Sequence, residues 1–168
     1  MNFQFIKATT QDITTIWPII QQAIARRKAD GSKQWQDGYP NIETLQNDIN
    51  KNVGFVLKQN NNIVGYIAVL INDEPAYENI QGKWLTNNHF IAIHRLAIHP
   101  DFLGKGLAIK AFNMIENYAK THQITSIKAD TNFDNLPMLH IFNKLGYQYC
   151  GQVYFREQAR QAFEKVLI

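Results

Sequence analysis

The order of apolar and polar residues predicts a chain that alternates between strands and helices. Phe3–Ala8 alternates apolar with polar side chains, which is the two-residue period of a strand with one buried face. Apolar residues then recur every three or four positions over Ile13–Ile24, which predicts a helix that buries one side. Thr9 and Asp12 stand three positions apart directly before this segment and resemble a capping box. The chain is therefore expected to open with a strand and a capped helix.

The later segments show the same two periods. Apolar and β-branched runs predict further strands at Val53–Lys58, Ile63–Ile71, Phe90–Ile98, Thr125–Thr131, Tyr147–Phe155 and Ala162–Leu167. Further helices are predicted from Asn41, as a cap, through Ile49, over Gly104–Lys120, and from near Pro137 to a stop at Gly146. Asn72–Asn87 carries charges, a proline and a glycine and is predicted to be a long connection. The order β-α-α-β-β-β-α-β-α-β-β predicts a mixed α/β fold and not the steady βαβ alternation of a doubly wound sheet.

Composition and charge narrow the class of protein. The chain has 168 residues, 45% of them hydrophobic and 18% charged, which suits one soluble domain over residues 1–168. The formal charge of +3 is far from the concentrated basic face of a nucleic-acid binder, and no apolar run approaches the ~20 residues of a membrane span. The first residues lack the pattern of a secretory signal, and the single cysteine, Cys150, fits a reducing compartment. We therefore expect a cytoplasmic protein that binds neither nucleic acid nor membrane.

One segment carries a chemical signal. A predicted strand ends at Ile98, a turn follows, and Gly104-Lys105-Gly106 stands at the predicted start of a helix. Glycines there let the backbone approach a ligand closely, and the first-turn N–H groups together with the helix dipole favour an anion such as a pyrophosphate. A Walker loop is excluded because Gly106, and not serine or threonine, follows the Gly-Lys pair. A tight turn that holds no ligand is the alternative at this point.

Two segments together resemble one protein family. LAIHPDFLGKGLA, over Leu96–Ala108, is similar to the acyl-CoA motif of the Gcn5-related N-acetyltransferase family, in which a strand of the type L-A-V-x-P leads into Gln/Arg-x-x-Gly-x-Gly/Ala. NLPMLHIFNKLGY, over Asn135–Tyr147, is similar to the family's N-x-x-A-x-x-L-Y-x-x-x-G-F segment. Leu103 departs from the family's usual Gln or Arg, which weakens a side-chain contribution to phosphate binding and leaves the backbone N–H groups in place. The order and spacing of the predicted elements agree with the family over nearly the whole chain.

The resemblance implies a fold and an acyl donor. The family has a mixed, mostly antiparallel sheet flanked by helices, and its fourth and fifth strands splay apart around the pantetheine arm of acetyl-CoA. The matching positions imply two sets of donor-binding residues: Leu96, Ala97, Ile98 and Asn135 on the arm, and Leu103, Gly104, Lys105, Gly106, Leu107 and Ala108 around the pyrophosphate. The implied reaction moves an acetyl group from acetyl-CoA to an amine by direct attack in a ternary complex, without a metal. A non-catalytic acyl-CoA-binding module is the alternative, and a homodimer is compatible with such a fold.

Acetyl transfer to an amine requires a group that removes a proton from the ammonium and, ideally, one that protonates the leaving thiolate. His94 is the candidate base, because alternation along a strand puts it on the face of Leu96 and imidazole titrates near neutral pH. A histidine that is hydrogen bonded within the sheet is the alternative. Glu78 is a second candidate base, acting through water. Many relatives carry a tyrosine where this chain has Phe142. Tyr147 is the candidate acid nearby, although a packing role is favoured for it, and water is the alternative proton donor.

In this family the acceptor enters opposite the cofactor, beside loops that correspond to Asp30–Asn41 and Asn72–Asn88. Their aromatic side chains are the implied acceptor contacts, with packing against the core as the alternative: Trp35, Tyr39, Tyr77 and Trp84. Aromatic faces, and carboxylates such as that of Glu74, receive a cationic amine by cation–π attraction and ion pairing. We expect the acceptor to be a small-molecule primary amine or a peptide amino terminus. A metal site is not predicted, because a spacing of five alternates between the faces of a strand: His89, His94 and His99.

Overall fold

A computed structural model of the chain describes residues 2–168, which form eight strands and four α-helices. The strands are β1 Phe3–Lys7, β2 Gly54–Gln59, β3 Asn62–Ile71, β4 Gln81–Gly82, β5 Phe90–Ile98, β6 Ser126–Thr131, β7 Gln148–Phe155 and β8 Gln158–Val166. The helices are α1 Ile13–Ala29, α2 Ile42–Asn50, α3 Leu107–Thr121 and α4 Leu136–Leu145, with 3-10 turns at Thr10–Asp12, Pro75–Asn79 and Pro100–Phe102. The mixed α/β class predicted from the sequence is confirmed. In this part of the chain no helix has both the length and the apolar composition needed to cross a membrane.

Residue contacts divide the chain into two compact units, each assembled from two segments. The first unit runs to Val69 and takes in Arg95–Ala111, and the second comprises Leu70–His94 and Phe112–Ile168. The chain passes from one unit to the other within β3, within β5 and within α3. A single cut in the chain therefore cannot separate the two units intact, and the expectation of one domain over residues 1–168 stays a prediction.

In the first unit, β1, β2 and β3 pair antiparallel in sequence order. The core beside them consists of apolar side chains from these strands, from α1, α2 and β5: Ala8, Ile16, Ile19, Ile20, Ala23, Leu45, Val56, Tyr66 and Ala97. The helical spacing of the isoleucines over Ile13–Ile24 is thus the spacing of one buried face, as the sequence pattern predicts.

Two predicted helix caps are present in the first unit. The Thr9 and Asp12 capping box forms, with the Thr9 N–H donating to Asp12 Oδ2 at 2.7 Å, but it opens the 3-10 turn Thr10–Asp12 and α1 begins one residue later. The Asn41 side chain accepts a hydrogen bond of 2.9 Å from the Thr44 N–H and caps α2. Hydrogen bonds between residues three apart therefore fix where the 3-10 turn and α2 begin.

In the second unit, β5 and β6 pair in parallel, and β6, β8, β7 and β4 then follow in antiparallel order. The parallel register joins Phe90–Ile93 to Ser126–Ala129, whereas β5 continues to Ile98. The other pairings of defined register are antiparallel, as predicted for a mostly antiparallel sheet. Buried side chains on this sheet form the core of the unit: Tyr77, Trp84, Ala92, Cys150, Val153 and Ala162.

The short strand β4 lies inside the segment that the sequence pattern predicts to be a plain connection. Gly82 pairs with Gly151 of β7, and the two backbones approach so closely that a Cβ on either glycine would run into backbone atoms of the other strand. Only glycine fits at both positions. Because the two glycines are far apart in the sequence, neither one predicts this pairing by itself.

Two predicted boundaries are wrong for a shared reason, which is left-handed backbone. The sequence predicts helix α3 from Gly104, but Gly104 and Gly106 have φ of 70° and 75°, so the helix begins at Leu107. It predicts strand β8 from Ala162, but the strand begins at Gln158, directly after a tight turn. That turn has φ of 46° at Arg156 and 64° at Glu157, a geometry that usually carries asparagine or glycine.

Candidate active site

The predicted phosphate-binding turn lies between β5 and α3 in the first unit. A Cβ on Gly104 or Gly106 would meet nothing within 4 Å, so the left-handed backbone, and not crowding, favours glycine at both positions. The Gly106 carbonyl accepts from the Lys110 N–H at 3.0 Å, which makes Gly106 the cap of α3. The amides of Leu107 and Ala108 then belong to the first helical turn, whose N–H groups have no partner within the helix. The turn therefore offers backbone donors to an anion.

The amides of this turn do not contribute equally. The Leu103 N–H donates to the Pro100 carbonyl at 3.1 Å, and the Lys105 N–H donates to the Phe102 carbonyl at 3.4 Å. These two N–H groups are therefore hydrogen bonded within the turn and are not available to an anion. Backbone binding of an anion is therefore expected from the glycines and from the start of α3.

An open cavity of about 660 Å³ adjoins the turn within the first unit. It is lined by Phe3, Gln59, Phe102, Lys105, Gly106, Leu107 and Lys110. The Lys110 ammonium lies 4.0 Å from the centre of the Phe3 ring, and the Lys105 ammonium lies 5.8 Å from that of Phe102. Two ammonium groups and two aromatic rings beside a helix start suit a ligand that carries phosphates and a flat ring system.

The part of β5 that was predicted to bind the pantetheine arm contains a backbone irregularity. Leu96 is half-buried and Ala97 and Ile98 are buried, and the Ile98 carbonyl accepts from Arg26 Nη2 at 3.4 Å. Arg95, directly before them, has φ of 56°. A left-handed residue interrupts the alternation of a strand, so simple alternation does not carry across Arg95, and a shared face for His94 and Leu96 stays a prediction.

In the second unit, His94 lies between two carboxylates. His94 Nε2 is 2.5 Å from Glu74 Oε2, and His94 Nδ1 is 3.7 Å from Asp130 Oδ2. The exposed fractions of the His94, Glu74 and Asp130 side chains are 11%, 11% and 6%. The Tyr77 hydroxyl donates to Asp130 Oδ2 at 2.6 Å. The candidate base thus belongs to a chain of four polar side chains, shielded by the rings of Tyr77 and Phe155.

Burial sets the protonation of the far end of this chain. Desolvation raises the pKa of the Asp130 carboxyl, and the neighbouring His94 opposes that shift without cancelling it. Burial and the neighbouring Asp130 raise the pKa of the Tyr77 hydroxyl well above its usual value of 10.0. Tyr77 therefore keeps its proton at neutral pH and donates it to Asp130 in a hydrogen bond.

The other two predicted catalytic residues lie in different surroundings. Glu78 is exposed in the 3-10 turn Pro75–Asn79, and Glu74, which caps that turn through the Ala76 N–H, is the carboxylate that contacts His94. Tyr147 is 5% exposed, and burial raises the pKa of its hydroxyl. Its ring packs against Phe112 and Phe142, and among residues 2–168 its buried hydroxyl has no hydrogen-bond partner.

The predicted acceptor residues are engaged in packing and in hydrogen bonds. Trp35 packs, partly buried, against the core of the first unit, and the Tyr39 hydroxyl accepts from Arg95 Nη1 at 2.6 Å. In the second unit the Trp84 indole N–H donates to the Tyr77 carbonyl at 2.8 Å, and the two rings lie 4.9 Å apart. These aromatic side chains are therefore held in place by packing or hydrogen bonds. Their contact with an acceptor stays a prediction.

Asn135, which is predicted to contact the pantetheine arm of the donor, also forms hydrogen bonds that stabilise the fold. Its side-chain oxygen accepts from the Met138 N–H at 3.4 Å and caps α4, while its Nδ2 donates to Thr131 Oγ1 at 3.0 Å. Gly146 ends the same helix with φ of 79°, as predicted. The contact between Asn135 and the donor stays a prediction.

The sequence pattern did not single out Asp130; it gave Glu78 as a candidate base and Glu74 as a carboxylate for the acceptor. A usable signal existed for Asp130, because β6 alternates charged residues with apolar ones in a strand that is buried along most of its length. No such signal separated the two glutamates, which lie on the same loop. Within residues 2–168, histidine, cysteine and carboxylate side chains form no group of three suited to a metal ion.

Comparison with known proteins agrees with this architecture. The chain matches the acetyltransferase (GNAT) family over residues 18–147. It is 35% identical to a GNAT-family acetyltransferase from Streptococcus agalactiae 2603, whose crystal structure superposes with a TM-score of 0.89 over 99% of this chain and 96% of that chain. It is 24% identical over 155 residues to the uncharacterized N-acetyltransferase YesJ of Bacillus subtilis (strain 168), covering 89% of this chain and 84% of that protein.

A more distant structure shares the fold and was solved with a ligand. This is yncA, a putative acetyltransferase from Salmonella typhimurium with its cofactor acetyl-CoA, at 14% identity and a TM-score of 0.70 over 100% of this chain and 95% of that chain. Fold and matches together define an acetyltransferase class of protein. Within that class, the chain belongs to the GNAT family, which confirms the resemblance drawn from its two motifs.

Proposed function

We propose that this chain transfers an acetyl group from acetyl-CoA to the primary amine of a small molecule or to a peptide amino terminus. The acceptor amine attacks directly in a ternary complex. Membership of the GNAT family and the acetyl-CoA bound to yncA support the donor. The observation that carries the catalytic part is His94 Nε2 at 2.5 Å from Glu74 Oε2.

The residues of the first unit fit the donor. The left-handed glycines, the start of α3 and the ammonium groups of Lys105 and Lys110 suit its phosphates. We assign the pantetheine arm to the backbone of Leu96–Ile98, and the contact from Asn135 is part of the same proposal. Acetyl-CoA supplies the activated acetyl thioester when bound.

His94 and Glu74 act as a pair in proton removal. An amine attacks only after its ammonium has lost a proton, so a nearby acceptor for that proton is required. The Glu74 carboxylate, on the acceptor side of the pair, takes up the proton, and His94 Nε2 shares it across 2.5 Å, so that the proton is held between the carboxylate and the imidazole. Asp130, which accepts from the Tyr77 hydroxyl, lies 3.7 Å from the other ring nitrogen.

The charge of the same residues supports a cationic acceptor. Glu74 and Asp130 bring two carboxylates to His94, and both are largely buried, so their attraction for an ammonium is weakly screened. Trp35, Tyr39, Tyr77 and Trp84 contribute to acceptor binding through the loops that they hold in place.

The test is release of coenzyme A thiol in the presence of acetyl-CoA and a panel of amines, including monoamines, diamines and peptides with free amino termini. Glu74→Gln keeps the shape of the side chain and removes its charge, and Glu78→Gln is the matched control on the same loop. We expect Glu74→Gln to lower kcat/KM by roughly 100-fold or more, the usual size of an acid–base contribution, and Glu78→Gln to leave it unchanged.

The opposite pattern, with loss in Glu78→Gln alone, would transfer the role to Glu78. The alternative function, a non-catalytic acyl-CoA-binding module, is favoured by one observation, the buried Phe142 at the position where relatives carry a tyrosine. Acetyl-CoA binding without thiol release from any amine in the panel would establish that module and reject the transferase.

A further inference from the structure

We infer that Asp48 is a positioning residue for the donor: through the Arg95 guanidinium it holds the left-handed backbone at Arg95 and so fixes the segment Leu96–Ile98. The inference rests on the proposed function, because this segment is the one assigned to the pantetheine arm. All the residues that carry it belong to the first unit.

Asp48 grips Arg95 with both carboxylate oxygens. Arg95 Nε donates to Asp48 Oδ2 at 2.8 Å, and Arg95 Nη2 donates to Asp48 Oδ1 at 2.6 Å. The exposed fractions of the two side chains are 10% for Arg95 and 8% for Asp48. A buried fork of two parallel charge-assisted hydrogen bonds fixes the guanidinium in both position and plane.

Two tyrosines complete the arrangement. The Tyr66 hydroxyl donates to Asp48 Oδ2 at 2.7 Å, and the Tyr39 hydroxyl accepts from Arg95 Nη1 at 2.6 Å. Burial, followed by the neighbouring Asp48, raises the pKa of the Tyr66 hydroxyl, so it keeps its proton for this bond. Gly54 leaves the space that the Tyr66 hydroxyl occupies, because a Cβ there would lie 2.9 Å from that oxygen.

Local helix stability does not explain an acidic residue at this position. Asp48 lies in the last turn of α2, where the helix dipole disfavours a negative charge. Its side chain is also buried, so its charge is removed from water. A carboxylate that is unfavourable for its own helix and costly to bury indicates a requirement elsewhere, and its described partners point to Arg95.

Asp48 is required to hold a strained backbone conformation inside β5. Arg95 has φ of 56°, a conformation that costs a residue with a Cβ energy unless its surroundings hold it there. A return of Arg95 to extended backbone would swing its guanidinium away from Asp48. The fork therefore locks the irregularity, and the irregularity sets the register and direction of Leu96, Ala97 and Ile98.

The first experiment measures acetyl-CoA affinity by calorimetry in Asp48→Asn and in a matched control, Thr44→Ala. Thr44→Ala removes the hydrogen bonds between the Thr44 hydroxyl and Asn41, the cap of the same helix, without touching Arg95. Both variants should melt at lower temperature, whereas only Asp48→Asn should raise the Kd for acetyl-CoA, by roughly 10-fold or more, because small displacements of a binding segment are costly. A Kd in folded Asp48→Asn equal to that of wild type overturns the inference.

A second variant tests the mechanism by rescue. Glycine adopts left-handed backbone at little cost, so Asp48→Asn combined with Arg95→Gly should recover most of the lost affinity without restoring the ion pair. Persistent weak binding in this double variant, with its circular dichroism intact, overturns the role assigned to the backbone of Arg95.

A third variant decides the matter if Asp48→Asn does not fold. Tyr39→Phe removes a single contact of the Arg95 guanidinium and leaves the fork in place, and it should raise the Kd for acetyl-CoA by a smaller factor, roughly 2- to 5-fold. An unchanged Kd there counts against the inference. Failure of the proposed function looks different, because wild type itself would then take up no acetyl-CoA.

Discussion

In the second unit, the candidate base His94 lies beside two carboxylates. One ring nitrogen lies 2.5 Å from Glu74, which fixes the ring on that side, and the other lies 3.7 Å from Asp130, beyond hydrogen-bond distance. The two carboxylates differ in their other contacts. Glu74 caps an exposed turn, whereas Asp130 is held by Tyr77 in a buried setting that raises the pKa of its carboxyl. Under the proposed function, Glu74 is therefore the partner assigned to the incoming acceptor.

Tyr147 gives a residue-scale prediction about proton donation. Its hydroxyl is buried, which raises its pKa, and it has no hydrogen-bond partner among residues 2–168. Removing such a hydroxyl relieves an uncompensated desolvation cost, so Tyr147→Phe should raise the free energy of unfolding by up to about 1 kcal/mol and leave the turnover rate unchanged. Urea denaturation and the thiol-release assay measure the two quantities. A turnover rate that falls by roughly an order of magnitude or more would make Tyr147 the acid that protonates the leaving thiolate.

At the scale of elements, one carboxylate fastens the loop before β5 to the sheet of the second unit. Glu164 of β8 is fully buried, and its Oε2 accepts from the Leu85 N–H at 2.5 Å. Its Oε1 accepts from Thr86 Oγ1 at 2.5 Å and from Ser126 Oγ at 2.6 Å. Lys128 adds a bond of 3.3 Å to the Thr86 carbonyl. The loop is therefore held by side chains and not by its own secondary structure.

Glu164→Gln should loosen this loop. An amide offers one acceptor where the carboxylate offers two, and the lost charge-assisted bonds should lower the free energy of unfolding by about 1.5–3 kcal/mol. Hydrogen exchange at the Leu85 and Thr86 amides should accelerate more than at the strand centres. Glu157→Gln, in the exposed turn between β7 and β8, is the control and should change neither quantity. Unaltered exchange at both amides would contradict the anchoring role.

How much of these elements the sequence predicts depends on where the determining contacts lie. Strand β5 was predicted with its observed bounds, because two apolar runs, FIAI and LAI, define its two ends. The caps at Thr9 and Asn41 were predicted because each is a contact between residues three apart. By contrast, the fork between Asp48 and Arg95 joins residues 47 positions apart, and no local period encodes it.

At the scale of the whole molecule, the donor should stabilise the folded chain. A ligand at 100 times its Kd adds about 2.7 kcal/mol to the free energy of unfolding, which for a chain of this size raises Tm by roughly 5–10 °C. Thermal denaturation with acetyl-CoA measures this shift. NAD is the control, because it also carries a pyrophosphate but lacks the pantetheine arm. An equal shift with both ligands, or none with acetyl-CoA, would reject the assignment of the arm to Leu96–Ile98.

The family was predictable from sequence because both motifs are local. Leu96–Ala108 and Asn135–Tyr147 each encode a turn, a cap or a helix start within a few residues. The partners of His94 were not predictable in the same way. Glu74 reaches it across 20 positions and Asp130 across 36 positions, through the pairing of strands that the sequence does not specify residue by residue.

The three crossings of the chain between its units also bear on how such a protein can be altered by recombination. A single breakpoint between two homologous genes falls inside at least one unit, and any breakpoint well inside residues 70–111 splits both. Chimeras joined there would combine halves of cores that did not evolve together. Tolerated exchanges are therefore expected near the ends of the gene, where one unit is inherited whole.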